Sequence, residues 1–126
     1  MTVLLDTHFL VWITLDSPQI RKFRWLGKYL PWTVSPISLI EIQFLAEIGR
    51  LQVTQPAFLD ALRQDSRFVI DEPPLTALAR RSFELEWTRD PFDRLLAAHS
   101  LVRNMPLCSV DRKIRQRHRP LPEELI

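Results

Sequence analysis

Four carboxylates in this 126-residue chain, Asp6, Glu41, Asp93 and Asp111, stand where a charged oxygen either ends a strand, heads a helix or interrupts an apolar surface. Asp6 follows the short run Thr2 to Leu5, and Asp111 follows Leu107 to Val110, so both sit at the carboxyl end of a strand. Open parallel sheets place their ligand crevice there. The same position also suits an ordinary helix N-cap, and each residue alone is open to that reading. Glu41 shares a helical face with Ile37, Leu45 and Ile48, while Leu39, Ile42 and Ala46 fill the neighbouring stripe. A carboxylate on so apolar a helix costs several kcal/mol if desolvated and unpaired, so it must find a cation or open onto a cavity. Alternatively, Ser38-Leu39-Ile40-Glu41 forms a capping box in which Glu41 reaches back to the Ser38 amide. Asp93 lies three residues after Asp90. The two read as N-cap and first-turn acids, or as like charges on one side of a turn that a cation would relieve.

Acids from well-separated segments that converge over one sheet edge give an oxygen-only ligand set, which suits Mg²⁺ or Mn²⁺. Phosphodiester hydrolysis is the chemistry such a set serves, and it needs no protein nucleophile. Composition narrows the alternatives. One cysteine, Cys108, and three histidines leave neither a disulfide framework nor a zinc pattern. With Gly27 and Gly49 as the only glycines, a Walker loop and a dinucleotide fingerprint are both excluded. No cofactor-binding motif remains. The formal charge is +2, with 17 Lys and Arg against 15 acids. Basic residues gather at Arg21, Lys22, Arg24 and Lys28, and again at Arg112, Lys113, Arg115, Arg117 and Arg119. These clusters suit a phosphate backbone or, equally, are solvated helix faces.

The elements that must position the acids alternate between strand-like and helix-like runs, which predicts a parallel sheet covered by helices. The expected strands are Thr2 to Leu5, Trp32 to Ser35, Arg67 to Ile70 and Leu107 to Val110. Helices are expected at residues 8 to 15, about 38 to 49 with Ser35-Pro36 offering an equally good earlier start, 56 to 64, Leu75 to Glu86, and from Asp90 to near Asn104, with a short basic one after Asp111. Asp90 as N-cap and Pro91 at the first position mark the fifth of these most clearly. At 46% hydrophobic content, residues 1–126 are expected to enclose one core as a single domain. With no long apolar run and no leader-like start, a cytoplasmic location away from membranes is expected.

In this setting the sequence resembles PIN domains, particularly the VapC-type toxins of bacterial toxin–antitoxin pairs. The likeness rests on Leu4-Leu5-Asp6-Thr7-His8, the segment Ser35 to Arg50, the run Arg89-Asp90-Pro91-Phe92-Asp93-Arg94-Leu95-Leu96-Ala97-Ala98-His99, and Ser109-Val110-Asp111. It implies a three-layer α/β/α sandwich with a mostly parallel sheet. It also implies a metal-dependent endoribonuclease using Mg²⁺ or Mn²⁺, an RNA substrate, a homodimer and a cognate antitoxin. The family's metal-site acids match Asp6, Glu41, Asp93 and Asp111, which are therefore the expected catalytic residues and metal ligands. Asp90 matches a further acid that serves as ligand, supporting group or cap, and Thr7 matches a small hydroxyl position. Two positions depart from the pattern: a frequent lysine four residues after the Glu is Leu45, and a frequent histidine before Arg89 is Thr88. His8 and His99 are assigned to loop and helix packing, because a metal-activated water needs no histidine to ionise. Trp12, Trp25, Trp32 and Trp87 are read mainly as core or interface anchors. Two other functions fit the same residues: a non-catalytic RNA- or protein-binding module of this fold, and a metal-dependent phosphatase.

Overall fold

The computed structural model describes residues 2–126. Four short strands form one sheet: β1 (Leu4–Leu5), β2 (Trp32–Val34), β3 (Phe68–Ile70) and β4 (Leu107–Cys108). Their spatial order is β3-β2-β1-β4, and all three pairings are parallel. Six helices connect and follow them: α1 (Thr7–Thr14), α2 (Pro36–Glu47), α3 (Ala57–Gln64), α4 (Leu75–Ser82), α5 (Pro91–Arg103) and α6 (Arg112–Arg117).

Alternation along the strands divides the interior into two cores, because successive side chains leave opposite faces of a sheet. Leu5 and its register partner Cys108 join Val34 and Phe68 under α1, α2 and α3, where Phe9, Leu10, Ile42 and Leu62 meet them. Leu4 and its partner Leu107 point to the other face and pack with Ile114 and Leu121. Trp87 links that cluster to Leu85, Ala97 and Ala98 beneath α4 and α5. The result is the parallel sheet covered by helices expected from the alternating pattern, in the α/β/α layering that the family resemblance implies. Since the strands are buried, their backbone groups pair within the sheet, and Asp6 N donates to Cys108 O at 3.1 Å to extend the β1–β4 ladder by one residue.

Local differences from the sequence reading have physical causes. Helix α2 has Pro36 in its first turn, as read, and runs about two residues ahead of the expected 38 to 49: Ser35 caps it by accepting from Ile37 N at 3.1 Å, and proline suits the first position. Ser38 therefore lies within the helix and is fully buried, so the Ser38–Glu41 capping box does not form. Helix α4 stops at Ser82, whose hydroxyl bonds back to Ala79 O, instead of continuing to Glu86. The aromatic stretch after residue 17 forms two 3-10 segments, Pro18–Lys22 and Arg24–Tyr29, with Trp32 Nε1 donating to Leu26 O at 2.9 Å. Trp12 and Trp25 pack against the same core. Among the described residues, no helix is long and apolar enough to cross a membrane.

Candidate active site

Strand order decides which acids meet. Because β1 and β4 are neighbours, Asp6 and Asp111, both beyond the carboxyl ends of their strands, face one another across one sheet edge. Each does double duty. Asp6 caps α1 by accepting from Phe9 N at 3.0 Å, and Asp111 caps α6 by accepting from Ile114 N at 3.0 Å. Capping and ligation are thus not exclusive readings, since a carboxylate has two oxygens and a cap occupies one of them. Asp90 likewise caps α5, with Oδ1 accepting from Phe92 N and Asp93 N at 2.9 and 3.2 Å. Thr88, at the position where histidine is frequent, accepts from Asp90 N at 3.2 Å and braces that turn.

Glu41 enters the group from α2. Thr7 Oγ1, the first residue of α1, donates to Glu41 Oε1 at 2.5 Å and lies 3.1 Å from Ser38 Oγ. Ser38 and Thr7 are both buried, so this pair of hydroxyls fixes the Glu41 carboxylate beside the α1 N-terminus. The role of Ser38 was hidden in sequence by its resemblance to a cap. Ser109, which directly follows β4, is fully buried and accepts from Asp111 N at 3.0 Å while its hydroxyl faces Asp6.

The electrostatics show how tightly the acids crowd. Asp93 is pushed up to about 7: burial is the largest cause, followed by repulsion from Asp90, Asp111, Glu41 and Asp6. The other four candidate acids are thereby within Coulombic reach of Asp93. Burial also raises Asp6, with Asp111 adding to it, while the Phe9 amide, the Ser109 hydroxyl and His8 pull it down. Glu41 is raised by burial, opposed by the Thr7 bond, raised again by Asp90, lowered by His8 and raised by Asp6. None of the five enters an ion pair among the described residues. Such uncompensated charge is what a divalent cation with oxygen ligands would relieve, and the donor set suits Mg²⁺ or Mn²⁺. Among the described residues, no three His, Cys, Asp or Glu side chains are already gathered tightly enough to hold one ion. Binding an ion would draw the repelling carboxylates inward.

A cleft of about 580 Å³ opens beside the acids, lined by His8, Glu41, Asp90 and Arg50 together with the apolar wall of Phe44, Leu45, Ile48, Pro91 and Phe92. His8 thus lies exposed at the cleft and not in a packing position as expected. His99 is a packing residue: it is fully buried, and its Nε2 lies 2.8 Å from Asp71 Oδ2, which Arg103 Nε also reaches at 2.9 Å. Asp71 follows β3 as Asp6 follows β1, yet β3 is an edge strand two places from β1, and Asp71 stays outside the cluster. Several basic residues are tied to structure as well. Lys28 pairs with Glu123 and Glu124, Arg115 donates to Leu125 O, and Arg119 donates to His118 O.

The PIN domain family profile matches residues 3–119. The chain belongs to the PIN domain family. A solved chain from a toxin–antitoxin complex of Klebsiella pneumoniae superposes on this PIN domain with a TM-score of 0.64, at 19% identity over 90% of each chain. At that identity the likeness speaks for the fold. No curated protein matches the sequence. Within the family match lie all the strand ends and helix starts that carry the five acids of this PIN domain.

Proposed function

We propose that this PIN domain is a metal-dependent endoribonuclease, the toxin of a toxin–antitoxin pair, that hydrolyses RNA phosphodiester bonds. The observation that carries the reading is Asp93, half-buried amid Asp90, Asp111, Glu41 and Asp6, none of which enters an ion pair among the described residues. Asp6, Glu41, Asp93 and Asp111 would hold the ion, and Asp90 is a further candidate ligand that also anchors the start of α5. When bound, Mg²⁺ or Mn²⁺ supplies a more acidic water and neutralises charge developing on the phosphoryl oxygens. The chain's own part is positioning. Thr7 and Ser38 keep Glu41 in one orientation, and the Phe9 amide and the Ser109 hydroxyl do the same for Asp6. His8 lines the cleft beside these acids.

The cognate antitoxin is expected to cover the cleft and the apolar stripe beside it. Ile40 and Phe44 on α2 and Ile48 at its end stand exposed, and the first two border a groove of about 500 Å³. The solved neighbour's description as a toxin–antitoxin complex supports such a partner. A homodimer, a cytoplasmic location and one nuclease unit spanning the chain complete the proposal. Incubation of purified protein with single-stranded RNA and Mg²⁺ or Mn²⁺ tests it: cleavage should stop with a chelator and with Asp93→Asn. Cleavage that survives both would refute the metal mechanism. RNA binding without turnover in any divalent metal would instead mark a binding module, and hydrolysis of a small aryl phosphate with RNA left intact would mark a phosphatase.

A further inference from the structure

The cleft beside the acids is mixed in character: Glu41, Asp90, Arg50 and an aromatic pair all line it. Phe44 and Phe92 sit with ring centroids 5.8 Å apart and planes inclined by 37°, and Phe44 is 47% exposed. The backbone of Arg50 is fixed by the helix end: Gly49 adopts φ 79°, Gly49 N donates to Ala46 O, and Arg50 N donates to Leu45 O at 2.8 Å. Such a left-handed glycine reverses the chain at a helix C-terminus and sets the direction of the next residue. The Arg50 side chain enters none of the ion pairs among the described residues. A permanent cation left unpaired beside an aromatic wall and next to a cluster of acids invites an anion that also presents a flat apolar face.

We propose that this cleft is a subsite for one unpaired nucleotide flanking the scissile bond, with its phosphate on Arg50 and its base against Phe44 and Phe92. The proposal rests on the nuclease reading above and adds the place where one flanking nucleotide is seated. Glu41 lies in α2 and Arg50 in the turn after it, and both line the cleft, so a strand with phosphates on either side of one nucleotide can engage both. A base held in a duplex is stacked and paired and cannot turn onto the aromatic pair, whereas an unpaired base can.

Fluorescence anisotropy with a labelled single-stranded RNA oligonucleotide in EDTA reads the subsite apart from catalysis, and KM in Mg²⁺ provides a second readout. Arg50→Ala should weaken binding about fivefold and reduce the log–log salt slope by about 0.7, the share of one phosphate on a single strand. Phe44→Ala should weaken it about tenfold with the slope unchanged, as loss of stacking does. KM should rise in both, with kcat changed less. Arg80→Gln, on the remote helix α4, should bind as the parent does, and an annealed duplex should bind the parent more weakly than the single strand. Circular dichroism melts verify folding, and Arg50→Lys should keep the salt slope while restoring part of the affinity. Parental binding and KM in Arg50→Ala and Phe44→Ala, alongside normal RNA cleavage by the parent, would overturn the subsite and leave the nuclease reading intact. An equal loss in Arg80→Gln would overturn it in favour of diffuse charge. A parent that neither binds nor cleaves RNA would overturn both.

Discussion

Replacing Asp93 by asparagine should stabilise the metal-free protein at neutral and higher pH, even though it removes a proposed catalytic group. An aspartate moved from 3.8 to about 7 carries a differential penalty of roughly 4 kcal/mol at about 1.4 kcal/mol per pKa unit. Relaxation of the neighbouring carboxylates and solvent at the cleft reduce this to about 2 kcal/mol. Between the two values the folded chain keeps a proton that the unfolded chain has released. Stability of the metal-free protein therefore falls as pH rises across that window and levels off above it. Asparagine carries no such charge, so the variant should lead the parent by about 2 kcal/mol, or roughly 6 °C in Tm, at about pH 8. The lead should vanish near pH 4, where Asp93 is protonated in the folded chain. Melts followed by circular dichroism in EDTA, with parent and variant paired at each pH, isolate this group from others that titrate. Saturating Mn²⁺ should raise the parent's Tm at pH 8 and leave the variant's nearly unchanged. A variant that melts at or below the parent at pH 8, or a lead that grows toward low pH, would refute the reasoning.

Thr7→Val removes the donor that holds Glu41 Oε1 and should lower kcat for RNA about tenfold while leaving the fold intact by circular dichroism. Asp71→Asn should cost about 2 kcal/mol in urea unfolding without changing the cleavage rate, because it breaks the bonds that join β3 to His99 and Arg103. Burial pushes Asp71 up, but its bonds to Arg103 and His99 outweigh that and hold it below the ordinary value. Its stabilisation is consequently full above the ordinary aspartate range and lost as pH falls through the lowered value. Asn104 ends α5 at φ 50°, so Asn104→Gly should add about 0.5 kcal/mol, measured by the shift of the urea midpoint.

The alternating apolar runs located all four strands to within a residue or two, since buried parallel strands leave a strong local signal. What the chain could not disclose locally was their order. Asp6, Asp71 and Asp111 each follow a strand, but only the adjacency of β1 and β4 brings Asp6 and Asp111 together, while edge strand β3 carries Asp71 away to His99 and Arg103. The choice between cap and cluster at each acid was undecidable in sequence because Asp6, Asp90 and Asp111 do cap their helices and also crowd Asp93. Glu41 resolved differently, since capping by Ser35 moved the helix start and freed it to meet Thr7. Ser38, Ser109 and Arg50 carried little local signal. Their placement depends on contacts between α1 and α2, on the site edge beyond β4, and on the turn after α2. The exposed Ile40, Phe44 and Ile48 defy the helical stripe for a similar reason: the described residues leave that side of α2 only partly covered.

Convergence of these acids on one divalent ion is the central claim, and anomalous diffraction from a crystal soaked in Mn²⁺ tests it most directly. The account predicts a manganese peak at the β1–β4 sheet edge, within ligating distance of Asp6 and Asp93 and with Glu41 or Asp111 drawn toward it. A peak elsewhere, or a site that stays vacant at saturating Mn²⁺ while the five carboxylates remain apart, would contradict it.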